Sequence, residues 1–342
     1  MKKVLFAAAA IAAMASCTKT TEVVYEPTGE LTLSPLAYVA VKANGPITGT
    51  AYPADEEFNV FAGHTAMDPG TAFANAGEIK PYLTDVTFAK ASNNAAWAGK
   101  TPYYWPKAGS LFFTGYSPAR AKGTATVDYT QENAGITITD FTQGAYAAEK
   151  NAEMVDLMWF DMTANSANSG APAAAFKHAL SYITFNFKAT TEQLFNLKKV
   201  TVKGVGTKGT FTSKDRVWTE PSVDTEITIF DGTQELTNNA FTRDNLLVIP
   251  QTIDAKAITI VYEQHSSAGS AETITVTESF ELPGGDGAAP DTAKWLLGKH
   301  YTYNFTFTPG TGGGEDPLDG QILLTPEVED WVKVADKETE IK

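Results

Sequence analysis

Short runs of alternating apolar and polar residues recur along most of this chain, and they predict strands. In Thr124–Tyr129 the apolar side chains fall on every second position, which places them on one face of an extended backbone. The same period runs through Ile136–Thr139, Tyr182–Phe187, Val200–Val202, Ile227–Ile229, Ile258–Tyr262 and Tyr301–Phe307. Thr, Val, Tyr and Phe fill these runs, and clusters of Gly, Asn, Asp and Pro separate them. Many short strands with turn signals between them predict an all-β protein built as sandwiches rather than a parallel α/β fold. Helical stretches are few. Thr191–Phe195 and Pro290–Leu296 each predict a turn or two.

The pattern also divides the chain. Thr18–Pro27 is polar and unpatterned and reads as a tether. A long strand ends near residues 188–190, where a new pattern begins. Pro309–Gly320 is the most linker-like run, and the apolar segment Ile322–Val334 lies beyond it. A chain of 342 residues exceeds one ordinary core. The expected organisation is a signal segment 1–16, a tether 17–29, domains over 30–188 and 189–320, and a terminal strand segment 321–342. No repeat of solenoid length is present.

The N-terminus has its own logic. Lys2 and Lys3 precede an uncharged apolar stretch, Val4–Met14. That stretch is well short of the roughly 20 residues a spanning helix needs. Ala15 and Ser16 follow, then Cys17, the only cysteine. The order describes a cleaved secretory signal. Met14–Cys17 also resembles a bacterial lipobox, in which the Cys17 thiol receives a diacylglycerol, with palmitate-type acyl chains, and becomes the new N-terminus. Ala13–Met14–Ala15 fits ordinary secretory cleavage as well, so both readings stand. A single cysteine excludes an intrachain disulfide framework and a cysteine-based zinc site.

Charge narrows the function. Loss of residues 1–16 removes two lysines and takes the formal net charge from −14 to −16. Such a surface repels nucleic acid, which is excluded as a partner. Dinucleotide and phosphate loops, zinc-protease helices and nucleophile elbows are absent. His64, His178, His265 and His300 are far apart in sequence and read as surface or packed histidines. Gly284–Gly287 with Asp291 lacks the ligand alternation of a calcium loop and reads as a turn. Trp97, Tyr103–Trp105, Phe112–Phe113 and Tyr116 make an aromatic-dense segment, which serves either a sandwich core or a sugar platform. No enzyme activity and no cofactor are expected.

An ordered set of motifs carries a resemblance. After the lipobox come Phe58–Ala62, Tyr103–Pro106, Leu111–Pro118 and Asp156–Trp159. Then follow Phe176–Phe185, Val248–Gln251, Gly298–Asn304 and Val328–Trp331. In this order they resemble the fimbrillin family of surface lipoproteins from anaerobic Gram-negative bacteria of the Bacteroidales type. The resemblance implies two transthyretin-like β-sandwich domains in tandem, following a cleaved lipoprotein signal peptide. It implies a stalk, anchor or tip subunit of a pilus, located at the cell outer membrane and in the fimbrium. It also implies an assembly route: a protease cuts after a basic residue behind the first strand, that strand leaves, and a strand of the next subunit fills the groove.

This chain offers residues for each step. The candidate removed strand presents Leu31, Leu33, Ala37, Val39 and Val41, with Pro35 in the same phase. The candidate donor presents Ile322, Leu324, Val328, Val332 and Val334, with Pro326 in the same phase and Asp330 the exception. Leu31–Pro35 aligns with Ile322–Pro326, and a proline within each segment suits an edge strand. Equally, Ile322–Val334 reads as the last strand of its own sheet. The first arginine is Arg120, so the basic residue in place for cleavage is Lys42, ahead of Ala43. The competing reading leaves Lys42 a solvated lysine and the chain uncut.

Two functions follow as expectations. One is a fimbrial structural or tip subunit that supports adhesion. Its partners are other fimbrial subunits, the outer membrane through the lipid, and a host glycan or protein ligand. The other is a non-polymerising outer-membrane lipoprotein that binds glycans.

Overall fold

A computed structural model of the chain describes residues 30–36, 52–67, 77–92, 95–130, 135–146, 154–165, 171–219, 221–253, 257–284, 294–309 and 321–330. The first strands in chain order are β1 (Thr32–Leu36), β2 (Phe58–Thr65), β3 (Lys80–Lys90), β4 (Trp97–Gly99), β5 (Ser110–Ser117), β6 (Thr124–Asp128) and β7 (Gly135–Thr142). Next are β8 (Met158–Ala164), β9 (Ala173–Ala175), β10 (Lys177–His178), β11 (Ser181–Ala189), β12 (Phe195–Thr212), β13 (Val217–Trp218) and β14 (Ser222–Glu235). The last are β15 (Phe241–Val248), β16 (Gln251–Thr252), β17 (Ile258–His265), β18 (Thr273–Phe280), β19 (Lys294–Trp295), β20 (Lys299–Thr308) and β21 (Gln321–Asp330).

Every alternating run singled out above lies in a strand. Along β17 buried and half-buried positions alternate without a break, as period-two patterning requires. The chain is all-β, and the described residues include no helix. The expected helical turn at Thr191–Phe195 is corrected to a tight turn that enters β12. Leu194 and Phe195 are buried there, and Gln193 takes a left-handed φ of 60°. Burial of two successive apolar residues favours an extended chain entering the core over one helical stripe. Of the second expected helix, Lys294–Trp295 is β19, and residues 290–293 lie outside the described residues.

Three main sheets form. One has the order β10-β8-β5-β2-β3-β4-β1-β9. A second has the order β15-β11-β20-β21, with β11 and β20 parallel. The third has the order β18-β17-β12-β7-β6, with β13 and β14 also on β12. The second and third close face to face. Phe307 of β20 meets Phe195 and Tyr262 at ring distances of 5.6 and 5.1 Å, and Phe305 meets Phe280 at 5.7 Å. A β-sandwich results.

Two hydrophobic cores occupy the molecule. Leu31, Leu33, Phe58, Val60, Phe88, Phe113, Phe160 and Phe176 belong to the first. The second holds the aromatic rows of β11 and β20. Because successive strand residues point to opposite faces, single strands serve both. Met158 and Phe160 of β8 face the first core, and Trp159 between them faces the second. The second core draws residues from both sides of position 188/189. β6 and β7, N-terminal to it, and β11, which crosses it, share sheets with strands that follow it.

Buried phenols leave a mark on stability. Burial pushes the Tyr116 hydroxyl up to about 12, aided by the Asp85 carboxylate, whose Oδ1 lies 3.3 Å away. Burial also pushes Tyr129 and Tyr146 up to about 12. The folded chain therefore holds these protons more tightly than the unfolded chain, whose value is 10.0. Their contribution is complete below the unfolded value and disappears as pH rises through the folded one. Urea midpoints measured between about pH 9 and pH 12 should fall steadily, in step with tyrosinate absorbance. A flat profile would refute this.

Candidate functional site at the first and last strands

β1 is short, yet it has neighbours on both sides. Its first half runs antiparallel to β4, with Thr32 opposite Ala98 and Leu33 opposite Trp97. Its second half runs parallel to β9, with Ser34, Pro35 and Leu36 opposite Ala173, Ala174 and Ala175. Leu31 N donates to Tyr103 O at 2.7 Å, and Ser34 N donates to Pro172 O at 3.0 Å. Leu31 and Leu33 are fully buried. Tyr52 stands beside them, with its ring edge-on to Trp97 and stacked on Phe176 and its hydroxyl 2.6 Å from Ser117 Oγ.

The proline rule needs a correction here. Pro35 predicts an edge strand, but β1 lies inside the sheet order. The physical reason is the change of partner: the β4 ladder stops at Leu33, so Pro35 is paired on one side only.

β21 is a true edge. Among the described strands it pairs with β20 alone, over ten residues, from Gln321 opposite Thr308 to Asp330 opposite Lys299. Ile322, Leu324, Pro326 and Val328 stand opposite the fully buried Phe307, Phe305, Tyr303 and Tyr301. Ile322 and Leu324 are half-buried against the second core, and Leu323 between them is 63% exposed. At Ile322 and Leu324 the even-numbered positions face the core. In this single chain the segment lies on its own sheet.

Cys17, Ala37, Val39, Val41, Lys42, Ala43, Val332 and Val334 lie outside the described residues, as does Asp291. Most of the aromatic-dense segment is core: Trp97, Trp105, Phe113 and Tyr116 are buried, and Tyr104 is the exposed member. The glycan-platform reading loses its main residues. The four histidines are packed or hydrogen-bonded. His178 Nδ1 lies 3.0 Å from the buried Asp156 Oδ1, and His300 stacks on Tyr182 at 4.2 Å. His64 Nε2 is 2.9 Å from Ala108 O, and His265 Nε2 is 2.8 Å from Asn196 Nδ2. The buried Asp156–His178 pair escaped sequence reading, since 22 residues separate its members. Among the described residues no group of three or more His, Cys, Asp or Glu is placed to hold a metal.

The model of the fimbrillin-like family matches residues 47–331. No curated protein is similar to the chain. Among crystal structures, a candidate cell adhesion protein from Bacteroides ovatus ATCC 8483 is 16% identical, with a TM-score of 0.50 over 90% of this chain and 98% of that one. One from Bacteroides uniformis ATCC 8492 is also 16% identical, with a TM-score of 0.45 over 88% and 99%. The tip fimbrial protein Mfa3 from Porphyromonas gingivalis is 11% identical, with a TM-score of 0.38 over 82% and 95%. The family match extends over most of the chain, and the chain therefore belongs to the fimbrillin-like family of structural pilins, a fimbrial, adhesin-type protein and not an enzyme.

Proposed function

We propose that the chain is made as a lipoprotein precursor anchored through Cys17 and cut after Lys42. It is then assembled when the segment 321–342 of one subunit fills the groove left by the first strand of another. The polymer supports adhesion at the cell surface. The observation that carries this reading is the contrast between the two strands. Leu33 of β1 and Leu31 just before it are fully buried in a core, so loss of this segment opens an apolar groove with unpaired strands on both sides. Among the described strands β21 has one neighbour, and its Ile322 and Leu324 are half-buried, so less holds it to its own sheet. Apolar residues of the same phase, with a proline at the same place, let one segment substitute for the other. Groove edges left bare pair with other chains unless something covers them.

The mature protein beginning at Ala43 should self-associate into ladders that survive SDS until boiled. Removal of residues 321–342 should abolish them. Surface-shed protein should start at Ala43 on N-terminal sequencing. Another start refutes the Lys42 assignment, and cut protein that stays monomeric refutes strand donation.

A further inference from the structure

A second feature lies away from both strands. A shallow pocket of about 500 Å³ opens where two turns converge. One turn, Ser213–Arg216, links β12 to β13, and the other, Leu296–Lys299, links β19 to β20. Arg216, Lys294 and Lys299 line it together with Trp218, Pro250 and Leu296. Among the described residues no carboxylate lines it, although the chain carries 40 acidic residues against 26 basic ones. Asp215, next to Arg216, is not part of the lining. Three cations and no described carboxylate, on an acidic molecule, are the reverse of what composition alone would place there.

We propose that this pocket binds an anionic sugar, a saccharide bearing a carboxylate or a sulfate.

Arg216 and Lys294 are exposed, and neither forms an ion pair with a described carboxylate. An arginine fork and an ammonium are the groups that hold a carboxylate or sulfate. The neutral part of a sugar needs a flat apolar wall, and Trp218 supplies a fixed one. Its Nε1 donates to Ala179 O at 2.6 Å, and its ring packs on Phe141 and Phe211 at 5.4 and 5.3 Å. Proline and leucine continue that wall. The Arg216 backbone holds a left-handed φ of 54°, set by the turn whose Arg216 N donates to Ser213 O at 3.3 Å. The volume suits one or two sugar rings. Size and field argue against a polyanion. The net charge of −14 repels an extended acidic chain or nucleic acid at long range, but it penalises a ligand with a single charge far less.

The site is independent of the strand donation proposed above, and the uncut chain is expected to show it. Titration of that chain with sialyllactose, glucuronic acid, a sulfated disaccharide and neutral lactose tests the proposal. At least one anionic sugar should bind, lactose should not, and the affinity should fall with added salt. Arg216→Asn keeps a residue that tolerates the left-handed backbone while removing the charge, and Lys294→Gln removes a second charge at an exposed position. Each should weaken binding about tenfold or more, with an unchanged thermal melt. The proposal is overturned if none of the anionic sugars binds, or if binding is unchanged in both variants. It is also overturned if an oligoglutamate peptide binds and the sugars do not.

Discussion

Aspartate in place of Leu33 should destabilise the uncut chain by about 4 kcal/mol or more, beyond the range of most single substitutions. Leu33 is fully buried between β4 and β9, opposite Trp97. The substitution removes an apolar side chain from a filled core and places a carboxyl group there. Leu324→Asp should behave differently. Leu324 is half-buried on an edge strand, so the monomer should lose less than half as much in denaturant unfolding. In the proposed assembly, however, Leu324 takes the place that Leu33 has left. The cut Leu324→Asp protein should therefore remain monomeric under conditions where the parent forms ladders. Normal ladders from that variant would show that Leu31–Pro35 and Ile322–Pro326 do not exchange in this register.

Alanine in place of Phe305 should cost about 3–5 kcal/mol. Phe305 is fully buried in β20, between β11 and β21. Its ring stacks on Phe187 at 5.2 Å and meets Phe280 of the facing sheet at 5.7 Å. Truncation leaves a hole between two sheets whose backbones are fixed by ladders on both sides, so relaxation fills little of it. Against a typical total stability of roughly 5–15 kcal/mol, the loss is a large fraction. The denaturant midpoint should drop while the slope stays constant. Thr275→Ala on the exposed face of β18 should stay within about 0.5 kcal/mol and serves as the control.

Strand content, and the phase and apolar face of the alternating runs, were legible in the residues. The reason is local. Alternation with period two is a property of the extended backbone, so Ile258–Tyr262 and Tyr301–Phe307 announce both a strand and its buried side. The apolar phase of Ile322–Leu324 could be read in the same way, and the ordered motifs pointed to the family.

Tertiary structure decided which strands meet, because pairing joins residues that the chain order keeps apart. It placed β1 inside a sheet despite Pro35, since a strand that changes partner midway leaves the proline paired on one side only. It turned Thr191–Leu194 into a tight turn and Phe195 into the start of a strand, with Leu194 and Phe195 both buried in the core. It brought Arg216, Lys294 and Lys299 to one pocket from two distant stretches of the chain, a convergence that no spacing rule encodes. The residues set what each strand could bury; the packing of the sheets decided what each strand was buried against.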